Sequence, residues 1–316
     1  MFIWFQYGKK NPNVSSSEVE NVLEYTPIIQ RMTSDLFSEK GIEVSVLRLD
    51  LIHLQISGNK WFKLKYNFEE ARENGFDTIL TFGGAFSNHI HATAVACKQF
   101  GFKSIGIIRG EKESGINFTL TEAKQYGMQL HFVSRGNYKH KTENDFILDL
   151  EHKFGKFYLV PEGGDNVLGQ KGCEEILPEE NDFDFIFCAC GTATTFKGIQ
   201  KSLKPNQTIV GISVLKGEGR INSEKNIISE YHFGGYAKHK DELLGFKKLF
   251  EKENKIPLDY VYTAKLFYAV QDLISKNKIP KNSKVIIIHS GGLQGNVGYE
   301  ARYRLNPNLN VNEAQG

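Results

Sequence analysis

Short apolar runs alternate, from residue 77 onward, with longer segments in which apolar residues recur at helical spacing. This alternation is typical of parallel strands joined by crossover helices, because strands buried on both faces become almost continuously apolar. The predicted strands are residues 77–82, 103–108, 128–133, 157–160, 183–190, 208–212 and 284–289. The predicted helices are residues 88–100, 118–126, 145–153, 168–177, 195–203 and 261–274. The pattern predicts an α/β fold with open, mostly parallel sheets that carry helices on both faces.

The earlier part of the chain is less regular. A helix is predicted over 27–38, with Ile28, Ile29, Met32 and Leu36 as its apolar positions, and a β-like apolar run over 44–56 precedes a helix-like segment over 62–74. Residues 216–255 are charged and aromatic, which indicates a helix, a surface excursion and another helix.

Domain organisation follows from the order of the strands. The first four strands after Lys60 suit a small domain over residues 64–172, inserted into a large domain that comprises residues 1–63 and 173–316. Each domain would hold one of the two sheets.

Composition excludes several classes of protein. The 316 residues are 40% hydrophobic and carry a net charge of +2, which indicates a folded globular protein and argues against nucleic acid or an anionic membrane as a partner. No apolar run reaches the roughly 18 residues of a membrane span. The first ten residues lack the order of a signal peptide. The four cysteines show no disulfide framework, so a cytoplasmic location is expected. Cys188 and Cys190 alternate within an apolar run, which favours a strand core over a metal site.

A lysine follows Gly58-Asn59 where the apolar run 44–56 gives way to the helix-like segment. Glycine permits a sharp backbone turn there, which can aim the side chain of Lys60 inward. A lysine held in such a pocket loses solvation, so its pKa falls and its amine can form a Schiff base. The alternative is an ordinary solvated lysine at a helix start.

Two loops at strand ends suit anions, because ligands of open parallel sheets bind at the carboxyl ends of strands. Loop 81–89 reaches Ser87 and Asn88, which are good N-cap residues before a helix whose free N–H groups favour a carboxylate. Loop 190–195 combines small residues and hydroxyls before a helix, which suits a phosphate. An ordinary N-cap and a plain tight turn are the respective alternatives.

Two further loops complete the set. Loop 161–166 is rich in turn residues and is interpreted as structural. Ser290 ends the last predicted strand and precedes two glycines, so its hydroxyl can face a ligand that approaches the backbone closely. A reactive lysine, a carboxylate site, a phosphate site and a strand-end hydroxyl together indicate a pyridoxal-phosphate site for an amino acid. A nicotinamide-dependent oxidoreductase is disfavoured because loop 190–195 lacks the three spaced glycines of a dinucleotide fingerprint.

The chain resembles the fold type II, or tryptophan-synthase-like, pyridoxal-phosphate enzymes. Within them it is similar to the group of 1-aminocyclopropane-1-carboxylate deaminases and D-cysteine desulfhydrases. The motifs that carry the resemblance are Gly58-Asn59-Lys60 with Lys63, Gly83-Gly84 through Ser87-Asn88-His89, Gly191-Thr192-Ala193-Thr194-Thr195, Val261-Tyr262-Thr263 and His289-Ser290-Gly291-Gly292. They follow the family order over about residues 45–300. The resemblance implies a cofactor held between the two domains.

The resemblance also implies residue roles. Lys60, Ser87 and Tyr262 would be catalytic, and Ser87, Asn88, His89 and Tyr262 would contact the substrate. The implied cofactor-binding residues are Lys60, Lys63, Asn88, Gly191, Thr192, Ala193, Thr194, Thr195, Thr263 and Ser290. No metal is implied, and a homodimer is expected for an enzyme of this kind.

Thr263 and His89 decide between the two named activities. Ring-opening deaminases look to have glutamate after the tyrosine and glutamine after Ser-Asn, whereas this chain has Thr263 and His89. A neutral hydroxyl beside the ring nitrogen does not keep that nitrogen protonated, so the cofactor is a weaker electron sink. β-Elimination of a good leaving group needs less stabilisation of the carbanion than opening a carbon ring, so this arrangement favours β-elimination. The predicted function is β-elimination from a small amino acid, with D-cysteine giving pyruvate, ammonia and sulfide. The alternatives are opening of aminocyclopropanecarboxylate to 2-oxobutanoate and a catalytically silent binding protein.

Overall fold

The computed structural model describes residues 26–53, 56, 58–111, 117–217 and 225–305. The described strands are β1 (Ile29–Met32), β2 (Glu43–Arg48), β3 (Thr78–Gly84), β4 (Lys103–Arg109), β5 (Met128–Val133), β6 (Tyr158–Val160), β7 (Phe185–Cys190), β8 (Thr208–Ser213), β9 (Ile227–Ile228) and β10 (Lys284–His289). The described helices are α1 (Asp35–Lys40), α2 (Asn59–Glu73), α3 (Asn88–Phe100), α4 (Phe118–Gln125), α5 (Asn144–Phe154), α6 (Val167–Cys173), α7 (Thr194–Lys201), α8 (Asp241–Asn254), α9 (Thr263–Ser275) and α10 (Gly295–Tyr303).

The larger sheet has the strand order β1-β2-β10-β7-β8-β9. Strand β1 is antiparallel to β2, and the other pairings among these described strands are parallel. Alternate residues of β10 enter different cores: Val285 and Ile287 face the core under α1, α8 and α9, while Ile286 and Ile288 face the core under α2, α6 and α7. Burial on both faces explains why these strands read as continuous apolar runs.

The smaller sheet is parallel and has the order β5-β4-β3-β6. Ile79 packs with α2 and α3 on one face, whereas Leu80 and Phe82 pack towards α5 on the other. The predicted α/β fold with two mostly parallel sheets is therefore confirmed. All strands of the smaller sheet lie within residues 64–172, although the domain boundaries themselves stay a prediction.

The predicted helix over 27–38 is wrong in its first half. Residues Ile29–Met32 form β1, which pairs with β2 in the register Ile29 to Leu47, and a helix starts only at Asp35. The apolar spacing suited a helix, but pairing with the sheet edge overrode it. The predicted excursion over 216–255 contains β9 and α8, while residues 218–224 lie outside the described part of the chain.

The cysteines are buried and make no disulfide. Cys188 and Cys190 lie side by side in the core under α7, as interpreted from the sequence. Among the residues that the structure describes, no helix is both long and apolar enough to cross a membrane.

Candidate active site

A cavity of about 300 Å³ lies where the carboxyl ends of strands from the two sheets meet. Residues at or just after the ends of β3, β4 and β6 form one wall of the cavity. Residues at or just after the ends of β7, β8 and β10 form the other. Eleven of the residues predicted from the sequence line it: Lys60, Lys63, Ser87, Asn88, His89, Gly191, Thr192, Ala193, Thr195, Tyr262 and Ser290. The fold thus gathers into one cavity loops that are more than 200 residues apart in the chain.

Lys60 owes its position to the glycine before α2. Gly58 has a φ of 75°, and a Cβ there would lie 1.8 Å from the Ser290 carbonyl oxygen, so only glycine lets the two loops meet. The Lys60 Nζ donates to Asn59 Oδ1 at 2.7 Å and lies 5.9 Å from the centre of the Tyr262 ring. Burial, and secondarily the Lys63 cation, lower the pKa of Lys60 to about 7. A large fraction of this amine is therefore neutral near pH 7.

The Lys63 side chain is buried and lines the same cavity as the start of α7, and burial lowers its pKa. A Cβ on Gly164 would lie 2.9 Å from Lys63 Cβ, so the glycine makes room for the lysine. Asn59 Nδ2 donates to Thr195 Oγ1 at 2.7 Å, which ties α2 to the first turn of α7. The free N–H groups of α7 and the ammonium of Lys63 together form a site suited to a phosphate.

Ala193 adopts the left-handed conformation, with a φ of 63°, directly before α7. A left-handed residue in such a turn is suited to bring successive backbone N–H groups together around an anion. Thr194, which was expected to bind the cofactor, does not line the cavity. Its hydroxyl donates to Asp165 Oδ1 at 2.9 Å and lies 2.7 Å from Thr192 Oγ1. Thr194 can therefore serve a phosphate through its backbone N–H alone.

The start of α3 forms the opposite side of the cavity. Ser87 caps the helix by accepting a hydrogen bond from the Ile90 N–H at 3.3 Å, and Asn88 Oδ1 accepts one from Gln294 Nε2 at 3.1 Å. His89 is buried, and its Nε2 lies 2.9 Å from Thr81 Oγ1. Burial first, and then the cations Lys60 and Lys63, hold the pKa of His89 well below its usual value, so the ring is neutral.

Two tyrosines close the cavity. The rings of Tyr236 and Tyr262 are edge-to-face with centres 6.2 Å apart, and the Tyr236 hydroxyl donates to the Phe86 carbonyl at 3.2 Å. Burial raises the pKa of Tyr236 to about 12 and that of Tyr262 well above its usual value. Sequence reasoning missed Tyr236, which follows Gly234-Gly235 in the stretch interpreted as a surface excursion.

The Thr263 side chain, expected to contact the cofactor, makes its hydrogen bonds to Asp259. Its hydroxyl donates to Asp259 Oδ1 at 2.8 Å and accepts from the Asp259 N–H at 2.7 Å, and the residue does not line the cavity. Because the Thr263 hydroxyl both donates to and accepts from Asp259, Ser290 is the one of these two predicted hydroxyls that lines the cavity.

Several lining residues had no sequence signal that pointed to them. Glu162 and Gly163 belong to the loop interpreted as structural, yet they line the cavity, as do Arg109 and Leu215. A Cβ on Gly163 would lie 3.0 Å from the Thr192 side chain, so this loop packs directly against loop 190–195. The nearness of these segments follows from sheet order rather than from local sequence.

The pattern of a pyridoxal-phosphate-dependent enzyme matches residues 20–291 of the chain. The chain belongs to this family. A Pyrococcus horikoshii protein provisionally named 1-aminocyclopropane-1-carboxylate deaminase is 30% identical over 92% of this chain and 94% of its own length. The mitochondrial bifunctional D-cysteine desulfhydrase/1-aminocyclopropane-1-carboxylate deaminase of Arabidopsis thaliana is 30% identical over 81% of this chain and 73% of its own.

The solved structure of a homologue of 1-aminocyclopropane-1-carboxylate (ACC) deaminase superposes on this chain with a TM-score of 0.78 at 26% identity. The superposition covers 90% of this chain and 94% of the other. The predicted family, the enzyme class of a pyridoxal-phosphate-dependent lyase or deaminase, and the cofactor are confirmed. The cavity fits this cofactor: it holds a desolvated lysine and a helix start with a buried lysine suited to a phosphate, and Gly163 lines it where a Cβ would lie only 3.0 Å from the Thr192 side chain. The roles of individual residues stay predictions.

Proposed function

We propose that this enzyme eliminates the β-substituent of a small amino acid, with D-cysteine as the favoured substrate and pyruvate, ammonia and sulfide as products. The observation that carries the proposal is the neutral hydroxyl of Ser290 at the end of β10, which lines the cavity. Thr263 stands where ring-opening relatives are expected to have glutamate, and its hydroxyl is held by Asp259. A neutral partner for the ring nitrogen favours departure of a good leaving group over opening of a carbon ring.

Five parts of the cavity would hold the cofactor. Lys60 would bind it through its amine, Lys63 and loop 191–195 would bind its phosphate, Asn88 its ring hydroxyl, and Ser290 its ring nitrogen. When bound, the cofactor withdraws electrons from the α-carbon of the amino acid. The first turn of α3 would receive the substrate carboxylate, since Ser87 caps a helix whose N–H groups attract anions.

Lys60 would move the proton. With a pKa of about 7, its Nζ is available as a base once the amino acid has taken its place, and it would remove the α-proton. Ser87 and Tyr262 would assist, Ser87 beside the carboxylate and Tyr262 with its ring next to Lys60 Nζ. The paired rings of Tyr236 and Tyr262 would limit the entry of water while the β-substituent departs.

The second candidate is opening of aminocyclopropanecarboxylate to 2-oxobutanoate and ammonia. It is supported by the names of the Pyrococcus and Arabidopsis relatives, which include this activity. The predicted homodimer and cytoplasmic location are compatible with either candidate and stay predictions.

A substrate panel tests the proposal. Purified enzyme with added cofactor is incubated with D-cysteine, L-cysteine and aminocyclopropanecarboxylate, and pyruvate, 2-oxobutanoate and sulfide are measured to obtain kcat/KM. We expect sulfide and pyruvate from D-cysteine in equal amounts and little 2-oxobutanoate, with no product from the Lys60→Ala variant. A higher kcat/KM on aminocyclopropanecarboxylate would refute the inference drawn from Ser290 and Thr263.

A further inference from the structure

A guanidinium forms part of the cavity wall on the side of the smaller sheet. Arg109 ends β4 in register with Gly84 of β3, and a Cβ on Gly84 would lie 3.5 Å from Arg109 Nη2. The guanidinium carbon lies over the Tyr138 ring, 5.7 Å from its centre, which is within the range of a cation–π contact. Arg109 is exposed at this position and is also part of the cavity lining. It is thus reachable both by solvent and by a ligand in the cavity.

Arg109 has no acidic partner within the described part of the chain. The acid that shares this wall, Glu162, pairs instead with Lys141 at 3.4 Å. The Lys141 ammonium also lies over the Tyr138 ring, 4.9 Å from its centre. Two cations and one carboxylate leave this wall with a net positive charge, and the unpaired charge is the one that lines the cavity.

Arg109 is carried by a different element from either of the two anion sites proposed above. It lies on β4, whereas the phosphate site is built on α2 and α7 on the other side of the cavity. The α-carboxylate site is the start of α3, which follows Gly84 by a four-residue step. Ser87 and Asn88 at the start of α3 line the same cavity as Arg109. An amino acid whose α-carboxylate is bound at the start of α3 would therefore have its side chain in the cavity that Arg109 lines.

We propose that Arg109 is a specificity residue that binds an anionic group at the distal end of the amino-acid substrate. This inference rests on the proposed function and names its substrate class: amino acids whose β-substituent is negatively charged, or ionises as a thiol does. A guanidinium presents a planar fork of donors that matches such groups, and its hydrogen bonds strengthen when a ligand displaces water. The two methylene groups of aminocyclopropanecarboxylate would leave the guanidinium without a partner.

Binding of cysteate and of alanine tests this proposal. Because the proposed elimination would release sulfite from cysteate, its affinity is read from the initial absorbance change, before product forms. Cysteate carries a sulfonate where alanine has a methyl hydrogen, and each is titrated, as both enantiomers, into the enzyme loaded with cofactor while the visible absorbance is followed. In Arg109→Gln we expect the affinity for cysteate to fall about tenfold or more, since a hydrogen bond to a charged group is lost, and the affinity for alanine to change less than about twofold. Arg109→Lys should restore part of the loss, because it keeps the charge without the fork.

The matched control is Lys103→Gln, which removes one positive charge from the opposite end of β4, where Lys103 pairs with Asp77 at the surface. It should leave both affinities unchanged. Equal losses for cysteate and alanine in Arg109→Gln would assign Arg109 to the α-carboxylate, and no loss for either would remove it from substrate binding; both results overturn the proposal. A wild-type enzyme whose spectrum responds to neither amino acid would instead refute the proposed function.

Discussion

Asp259 organises the segment that carries Tyr262. Its carboxylate is buried and accepts four hydrogen bonds: Oδ2 from the N–H groups of Val261 and Tyr262 at 2.8 and 2.9 Å, and Oδ1 from the N–H and hydroxyl of Thr263, both at 2.8 Å. The charge of Asp259 also raises the pKa of Lys60, against the larger lowering by burial. One side chain therefore caps α9, fixes the tyrosine and influences the lysine.

The change Asp259→Asn replaces one of the two accepting oxygens by an amide that can only donate. Two of the four donors then lose their acceptor in a buried site, at about 1–3 kcal/mol each, so the free energy of unfolding should fall by roughly 2–6 kcal/mol. At about 2 °C per kcal/mol for a chain of this size, Tm should fall by roughly 4–12 °C.

The assay is thermal unfolding of the apoenzyme followed by circular dichroism. The matched control is Asp272→Asn within α9, where the carboxylate accepts from Tyr231 and Lys276 near the surface; its cost should stay below about 1 kcal/mol. A Tm for Asp259→Asn within 1–2 °C of the control, roughly the spread expected of a surface substitution, would contradict the capping role.

The same variant tests the electrostatics of the site. Removal of the Asp259 charge takes away an influence that raises the pKa of Lys60, so that pKa should fall below about 7. Because the neutral amine is the form that reacts, the pH midpoint for attachment of cofactor to apoenzyme should move to lower pH. A midpoint that moves upward would refute the sign of this argument.

Three further predictions concern the cofactor and the packing beneath it. Lys60→Ala should abolish the visible absorbance band of the bound cofactor, and borohydride should fix cofactor to a peptide containing Lys60 in the wild type; attachment to another lysine would remove the assignment. Thr195→Ala should weaken cofactor binding by about tenfold or more in equilibrium dialysis, since a hydrogen bond to a charged group is lost and Asn59 Nδ2 loses its acceptor, whereas unchanged affinity would move the phosphate elsewhere. Gly172→Ala would put a Cβ 1.7 Å from the Phe62 carbonyl oxygen, so α2 and α6 must separate. The protein should therefore unfold at a lower temperature or remain insoluble. A Tm equal to that of the wild type would show that the two helices accommodate the methyl group at little cost in stability.

Local sequence predicted an element well where burial and pattern agreed. β10 was predicted with the observed bounds because it is apolar on both faces, and β5 likewise matched because turn residues bound it. β1 was predicted as helix, since its apolar spacing fits a helix and only pairing with β2 reveals the edge strand. α10 was not predicted at all, because its first half contains two glycines and little apolar periodicity.

The sequence alone indicated the fold class and the cofactor and singled out loops that line the cavity, because a lysine after Gly-Asn, a capped helix start and a loop of small residues and hydroxyls each have a short-range signature in the chain. Only the tertiary structure decided which side chains face the cavity. Thr263 turns to Asp259, while Arg109 and Tyr236 reach the cavity from segments without any local motif. The physical reason is that a backbone motif depends on residues that are neighbours in the sequence. The partner of a side chain depends instead on sheet order and on elements that are distant in the chain.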